Sequence, residues 1–153
     1  MEPLQMEPLK IIIVEDEALL ALELEGLIED SGNSVVGWAT GFAEAKALID
    51  EHEADIAFVD LNLADGPTGI SIAEYIRDSG RSLAVFMTAN PRSLPENYAG
   101  AVGVIAKPYT MSGLTAALTY LKEGVREPPP AKALPVGFVL SPHYAAHWAA
   151  STR

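Results

Sequence analysis

Leu9-Lys10-Ile11-Ile12-Ile13-Val14-Glu15-Asp16-Glu17 is the stretch on which the fold turns. A nearly continuous aliphatic run suits a central parallel strand buried on both faces. Three acidic residues end it, so charge is delivered to one end of that strand. From Ala18 to Ile28, leucines and alanines recur at helical spacing until the Ser31-Gly32-Asn33 cluster stops them. Working outward, the alternation repeats. Ser34–Ala39 reads as a strand, Phe42–Glu51 as an amphipathic helix, and Asp55–Val59 as a short strand running directly into Asp60. Ile70–Asp78 reads as a helix and Leu83–Met87 as a strand ending at Thr88. Val102–Ala106 is a strand ending at Lys107-Pro108, and Met111–Lys122 is a further helix.

Only Asn90–Gly100 breaks this rhythm. Pro91 can begin a helix, but Pro95 inside one would cost about 3 kcal/mol. The spacing therefore predicts a short or frayed helix there, joined by irregular chain.

Repeated strand–helix units imply a parallel sheet with helices on both faces, because the right-handed crossover permits little else. In such open sheets, ligands bind beyond the carboxyl ends of the strands. The polar residues of this chain stand at those ends: Glu15 and Asp16, Asp60, Thr88 and Lys107. Taken singly, each has an ordinary reading as a helix cap, a turn residue or a solvated charge. Taken together, they converge on one rim, which turn chemistry does not explain.

Composition narrows the chemistry further. The chain has 153 residues, 49% of them hydrophobic, so a single domain with a real core is expected. It has no cysteine, which excludes disulfides, thiolate metal sites and thiol nucleophiles. A formal charge of -11 argues against nucleic acid as a partner, since phosphates call for a basic surface. Met1 to Lys10 lacks the order of a signal peptide, and no apolar run approaches the roughly 20 residues that span a bilayer. Membrane insertion is not expected, and the absence of cysteine agrees with the cytoplasm.

Three carboxylates gathered at neutral pH repel one another and need a cation. Oxygen donors favour a hard ion, here Mg²⁺, with Glu15, Asp16 and Asp60 as ligands and the backbone carbonyl of Asn62 as a further one. With its charge offset by metal and by Lys107, the Asp60 carboxylate can attack phosphorus and form an acyl phosphate. Thr88 offers a hydroxyl to the transferring oxygens. No residue reads as a dedicated base for water attack. The expected chemistry is Mg²⁺-dependent self-phosphorylation on Asp60 with slow autodephosphorylation, and not enzymatic turnover.

The order Val-Glu-Asp-Glu (14–17), Phe-Val-Asp-Leu-Asn-Leu (58–63), Phe-Met-Thr-Ala-Asn (86–90) and Ala-Lys-Pro-Tyr (106–109) resembles the receiver domain of two-component response regulators. The resemblance covers Leu9 to about Lys122. It implies a three-layer, flavodoxin-like, doubly wound parallel sheet of five strands in the order 2-1-3-4-5. It further implies phosphorylation on Asp60 by a sensor histidine kinase or a histidine phosphotransfer protein. By position, Glu15 and Asp16 look like the acidic metal pair, Thr88 like the switch hydroxyl and Lys107 like the family's lysine. Three departures stand out. Asp65-Gly66-Pro67 stands after the phosphoacceptor loop in place of Met-Pro, Val104 takes the position of an aromatic switch residue, and Tyr109 replaces a frequent Phe. The proline-interrupted region after Thr88 is similar to an atypical subgroup with a weakly formed fourth helix. The activation readout is accordingly expected within Asn90–Gly100, with Tyr98.

The organisation expected is an N-terminal extension over 1–8, the receiver over 9–124, and a proline-containing tail or arm over 125–153. Met-Glu-Pro-Leu occurs twice in the extension, too short to be a structural repeat. The length leaves no room for a separate output domain. In the tail, Pro128-Pro129-Pro130 favours extended chain, Gly137–Leu140 is strand-like and Tyr144–Ala150 can form a short helix. The tail is either disordered or an arm packed on the domain or a neighbour, and a homodimer stays open. His143 and His147 have metal-ligand spacing but no third ligand, so the spacing is read as chance. Among rival functions, a dehalogenase-type phosphatase lacks its general acid at Asn62, and a flavin site would be repelled by Glu15-Asp16-Glu17. The closest alternative is a receiver-like protein-binding module that works without phosphorylation.

Overall fold

The structure is a computed structural model and describes residues 6–151. The first Met-Glu-Pro-Leu of the extension lies outside the described residues. Strands β1 (Lys10–Val14), β2 (Ser34–Ala39), β3 (Ile56–Asp60), β4 (Leu83–Thr88) and β5 (Gly103–Ala106) form the parallel part of the sheet. Helices α1 (Ala18–Asp30), α2 (Phe42–Glu51), α3 (Gly69–Ser79) and α4 (Met111–Arg126) cover its faces. Two apolar layers follow from the alternation of side chains along each strand. Ile11, Ile13, Phe58, Val85 and Met87 face α1 and α4, where Leu24, Leu114 and Leu118 meet them. Ile12, Val14, Val59, Ala84 and Phe86 face α2 and α3, against Ile49, Ile72 and Ile76.

The flavodoxin-like fold is as expected, but among the described residues the sheet has six strands and not five. Its order is β2-β1-β3-β4-β5-β6, and β6 (Phe138–Leu140) runs antiparallel to β5. Gly103 explains how β6 comes so close. A Cβ at that position would lie 2.2 Å from the carbonyl oxygen of Val139, so only glycine admits the neighbouring backbone. The tail is thus an arm packed on the domain. After β6, Ser141 caps α5 (Pro142–Ala149) by accepting from the Tyr144 N–H. Trp148 is only 4% exposed, and its indole seats directly on Gly124 of α4. Tyr120, Phe138 and Tyr144 complete an aromatic cluster with ring centroids 5.6–6.2 Å apart.

Two further details differ from the simple alternation. Helix α4 runs beyond Lys122 to Arg126, whose two terminal nitrogens each donate to the Asp55 carboxylate at 2.9 Å. That long-range fork gives the last turn a partner the local sequence does not reveal. Between β4 and β5, two single turns of 3-10 helix, Pro91–Ser93 and Tyr98–Gly100, stand in place of a full helix. Tyr98 and Ala99 adopt left-handed φ of 54° and 49°, a conformation uncommon outside glycine. The Asn97 side chain supports that turn by accepting from the Ala99 N–H.

Candidate functional site

The carboxyl ends of β1, β3, β4 and β5 share one rim, and the predicted residues meet there. Glu15 follows β1 and is buried, its N–H bonded to the Ala39 carbonyl at 2.9 Å. Its Oε1 accepts from the Glu17 N–H at 3.1 Å, and its Oε2 accepts from Lys107 Nζ at 3.0 Å. Lys107 reaches the rim from the end of β5 and also donates to Asp60 Oδ2 at 2.9 Å. One ammonium therefore bridges two carboxylates 45 residues apart in sequence, at the ends of β1 and β3. Asp16 is exposed, yet one oxygen from each of Glu15, Asp16 and Asp60 falls within 4.8 Å of the others. Glu17, at the N-cap of α1, makes no side-chain capping bond of its own.

Thr88 is buried at the end of β4, where its carbonyl accepts from the Lys107 N–H at 2.9 Å. Its Oγ1 accepts from the Asn90 N–H at 3.1 Å. Asn62 lies exposed in the turn after Asp60, with its N–H 3.4 Å from Asp60 Oδ1. Tyr109 is half-buried beside the rim, lining a cavity of about 390 Å³ with Leu20, Leu24, Met87 and Pro108. Val104, in the position of the expected aromatic, is buried in the sheet.

Electrostatics follow from this geometry. Burial pushes the Glu15 carboxyl above its usual range, and the Lys107 hydrogen bond only partly offsets it. Burial pulls Lys107 down, but the hydrogen bonds and attraction of Asp60 and Glu15 outweigh it and hold the ammonium above its usual range. Three carboxylates against one ammonium leave the rim net negative, and all its donors are oxygens. Such a donor set fits a hard divalent cation.

Sequence reasoning missed two residues. Gly69, at the start of α3, packs on the backbone of Asp60: a Cβ there would sit 2.3 Å from the Asp60 carbonyl oxygen. A glycine at the first position of a helix, close after the aspartate, was the available signal. Trp38 on β2 donates its indole N–H to the Glu15 carbonyl at 2.6 Å. Its signal was an aromatic one residue before the end of β2, with no hint of where the ring points.

Comparison with known proteins agrees with this fold. Residues 11–119 match the family described as the response regulator receiver domain. The phyllosphere-induced regulator PhyR of Methylorubrum extorquens is 31% identical over 112 residues, 72% of this chain and 42% of that protein. The transcriptional regulatory protein PdtaR of Mycobacterium tuberculosis is 31% identical over 123 residues, 78% of this chain and 60% of its own length. The chain thus spans about half the length of these curated relatives. Among solved structures, the PhyR receiver domain of Erythrobacter litoralis superposes with a TM-score of 0.68 at 25% identity, covering 82% of this chain and 97% of that one. SdrG of Sphingomonas melonis gives 0.61 at 30% identity, covering 76% and 98%. Because that family match spans most of the chain, from residue 11 to 119, the chain belongs to the response regulator receiver domain family.

Proposed function

We propose that this receiver accepts a phosphoryl group on Asp60, with Mg²⁺ held by Glu15, Asp16, Asp60 and the backbone carbonyl of Asn62. The observation that carries the reading is the Lys107 ammonium, 3.0 Å from Glu15 and 2.9 Å from Asp60. It holds the Asp60 carboxylate against the acidic pair and places positive charge where phosphoryl oxygens would gather. When bound, Mg²⁺ supplies the remaining charge neutralisation and polarises the phosphoryl oxygens. An Asp60 oxygen attacks phosphorus, the donor leaves with the bonding electron pair, and an acyl phosphate results. Thr88 accepts from Asn90, which leaves its own O–H to donate to a phosphoryl oxygen. Gly69 lets α3 begin directly against the Asp60 and Leu61 backbone, which holds the chain that carries the carboxylate.

Phosphorylated Asp60 acts as a signal and not as an intermediate of turnover on a separate substrate. The donor is a sensor histidine kinase or a histidine phosphotransfer protein, met in the cytoplasm. Among the described residues no helix is long and apolar enough to cross a membrane. A Bartonella quintana PhyR, 27% identical over 77% of this chain, is an anti-anti-sigma factor. That relative supports a readout through protein binding. The test is thermal unfolding with Mg²⁺ and beryllofluoride, a phosphoryl mimic. The two together should raise the melting temperature of the wild type and that of Asp60→Asn far less. An equal response in both proteins, or none in either, would reject Asp60 as the acceptor.

A further inference from the structure

Resting on the metal reading above, we infer that Trp38 is a positioning residue for the acidic pair, brought to it by a bulge in β2. Strand β2 pairs in parallel with β1, as Ile11 with Val35 and then Ile12 with Gly37, so Val36 is one residue in excess. Bulges are rare in parallel pairs, and they re-aim side chains beside active sites. The consequence can be read from the neighbours. Val35 packs on the α1 side of the sheet, Val36 on the α2 side, and Gly37 also meets α2, where a Cβ would lie 2.6 Å from Leu48. Two successive residues on one side shift the alternation by one. Trp38 then comes into register with Ile13, a residue of the α1 side, and not with the α2 layer. In an unbulged strand it would face α2, away from α1.

The ring so placed is 42% exposed, poor use of an indole for burial alone. Its N–H donates to the Glu15 carbonyl at 2.6 Å. Glu15 is then held at every polar atom: the N–H by Ala39, the carbonyl by Trp38, Oε1 by Glu17 and Oε2 by Lys107. The carbonyl matters most, because it belongs to the peptide group that leads into Asp16. Fixing that plane fixes the position of the Asp16 Cα, from which the exposed carboxylate leaves the chain. Outer contacts that orient ligands in this way commonly change metal affinity by 10–100-fold.

Calorimetric titration of Mg²⁺ into wild type, Trp38→Phe and Asp16→Asn tests this, together with amide exchange in metal-free protein. Trp38→Phe keeps a ring and loses only the donor. It should bind Mg²⁺ about tenfold more weakly, with faster exchange at Asp16 and Glu17 and unchanged exchange across β1 and β2. Equal affinity in wild type and Trp38→Phe overturns the inference while leaving the metal site intact, provided Asp16→Asn loses binding. General acceleration of exchange through β1 and β2 also overturns it, since Trp38 would then be structural. Failure of the wild type itself to bind Mg²⁺ overturns the metal reading, and this one with it.

Discussion

Gly124→Ala, made alone and together with Trp148→Ala, tests whether the C-terminal arm is built into the fold. In wild type, a Cβ at position 124 would lie 2.4 Å from one indole carbon of Trp148 and 2.6 and 2.7 Å from two others. Trp148 is buried and ringed by Tyr120 and Tyr144, so it has little room to withdraw. Overpacking of this kind costs about 1–3 kcal/mol. Replacing glycine inside a helix returns about 1 kcal/mol. The expected net is therefore a loss of about 0–2 kcal/mol. Trp148→Ala should itself cost about 3–5 kcal/mol, as large core truncations do. With the indole gone the clash goes too, and Gly124→Ala should now stabilise by about 1 kcal/mol. The signature is a reversal of sign, with a coupling of about 1–3 kcal/mol. Urea unfolding of the four proteins, monitored by far-UV circular dichroism, measures it. Stabilisation by Gly124→Ala in the wild-type chain would show that Trp148 does not sit there.

Three other outcomes follow from the site and the arm. Gly69→Ala places a Cβ 2.3 Å from the Asp60 carbonyl oxygen and 2.7 Å from Leu61 Cα, both backbone. It should cost about 1–3 kcal/mol in urea unfolding and slow phosphorylation by acetyl phosphate, and an unchanged midpoint would contradict the packing. Mg²⁺ at a hundredfold over its Kd should stabilise wild type by about 2.7 kcal/mol, Asp60→Asn far less, with EDTA reversing the gain. Burial pushes the Tyr144 and Tyr120 phenols up, so the folded state holds its phenol protons more tightly than the unfolded chain. Their stabilising contribution is then complete below the unfolded pKa of about 10 and is lost as pH rises through the folded values. Tyr144→Phe should flatten part of that alkaline decline in urea midpoints, and identical profiles would show that burial of Tyr144 is not what sets the slope.

Much of the fold could be read from the chain because each element carried its own period. The aliphatic runs before Glu15 and Asp60 suit inner strands, and Leu20, Leu24 and Leu27 of α1 recur on one helix face, while Leu19 and Leu22 stand exposed. The rim was legible for a related reason: the topology gathers strand ends, and the charged residues were already standing on them. Proline chemistry likewise foretold the missing helix after Thr88, now two short turns. What escaped depends on contacts between distant residues. The strand character of Phe138–Leu140 was visible, but its pairing with β5 depends on Gly103 leaving the edge open to Val139. The final turn of α4 is tied to Asp55, 71 residues away. Trp38 reaches Glu15 only because one surplus residue in β2 turns the strand over, and register is not written in side-chain pattern alone.

Intact mass of the purified chain after incubation with Mg²⁺ and acetyl phosphate tests the central claim most directly. Wild type should gain one phosphoryl group, a gain absent without Mg²⁺, absent in Asp60→Asn and much reduced in Lys107→Ala. A gain that persists in Asp60→Asn, or no gain in a wild type that binds Mg²⁺, would contradict it.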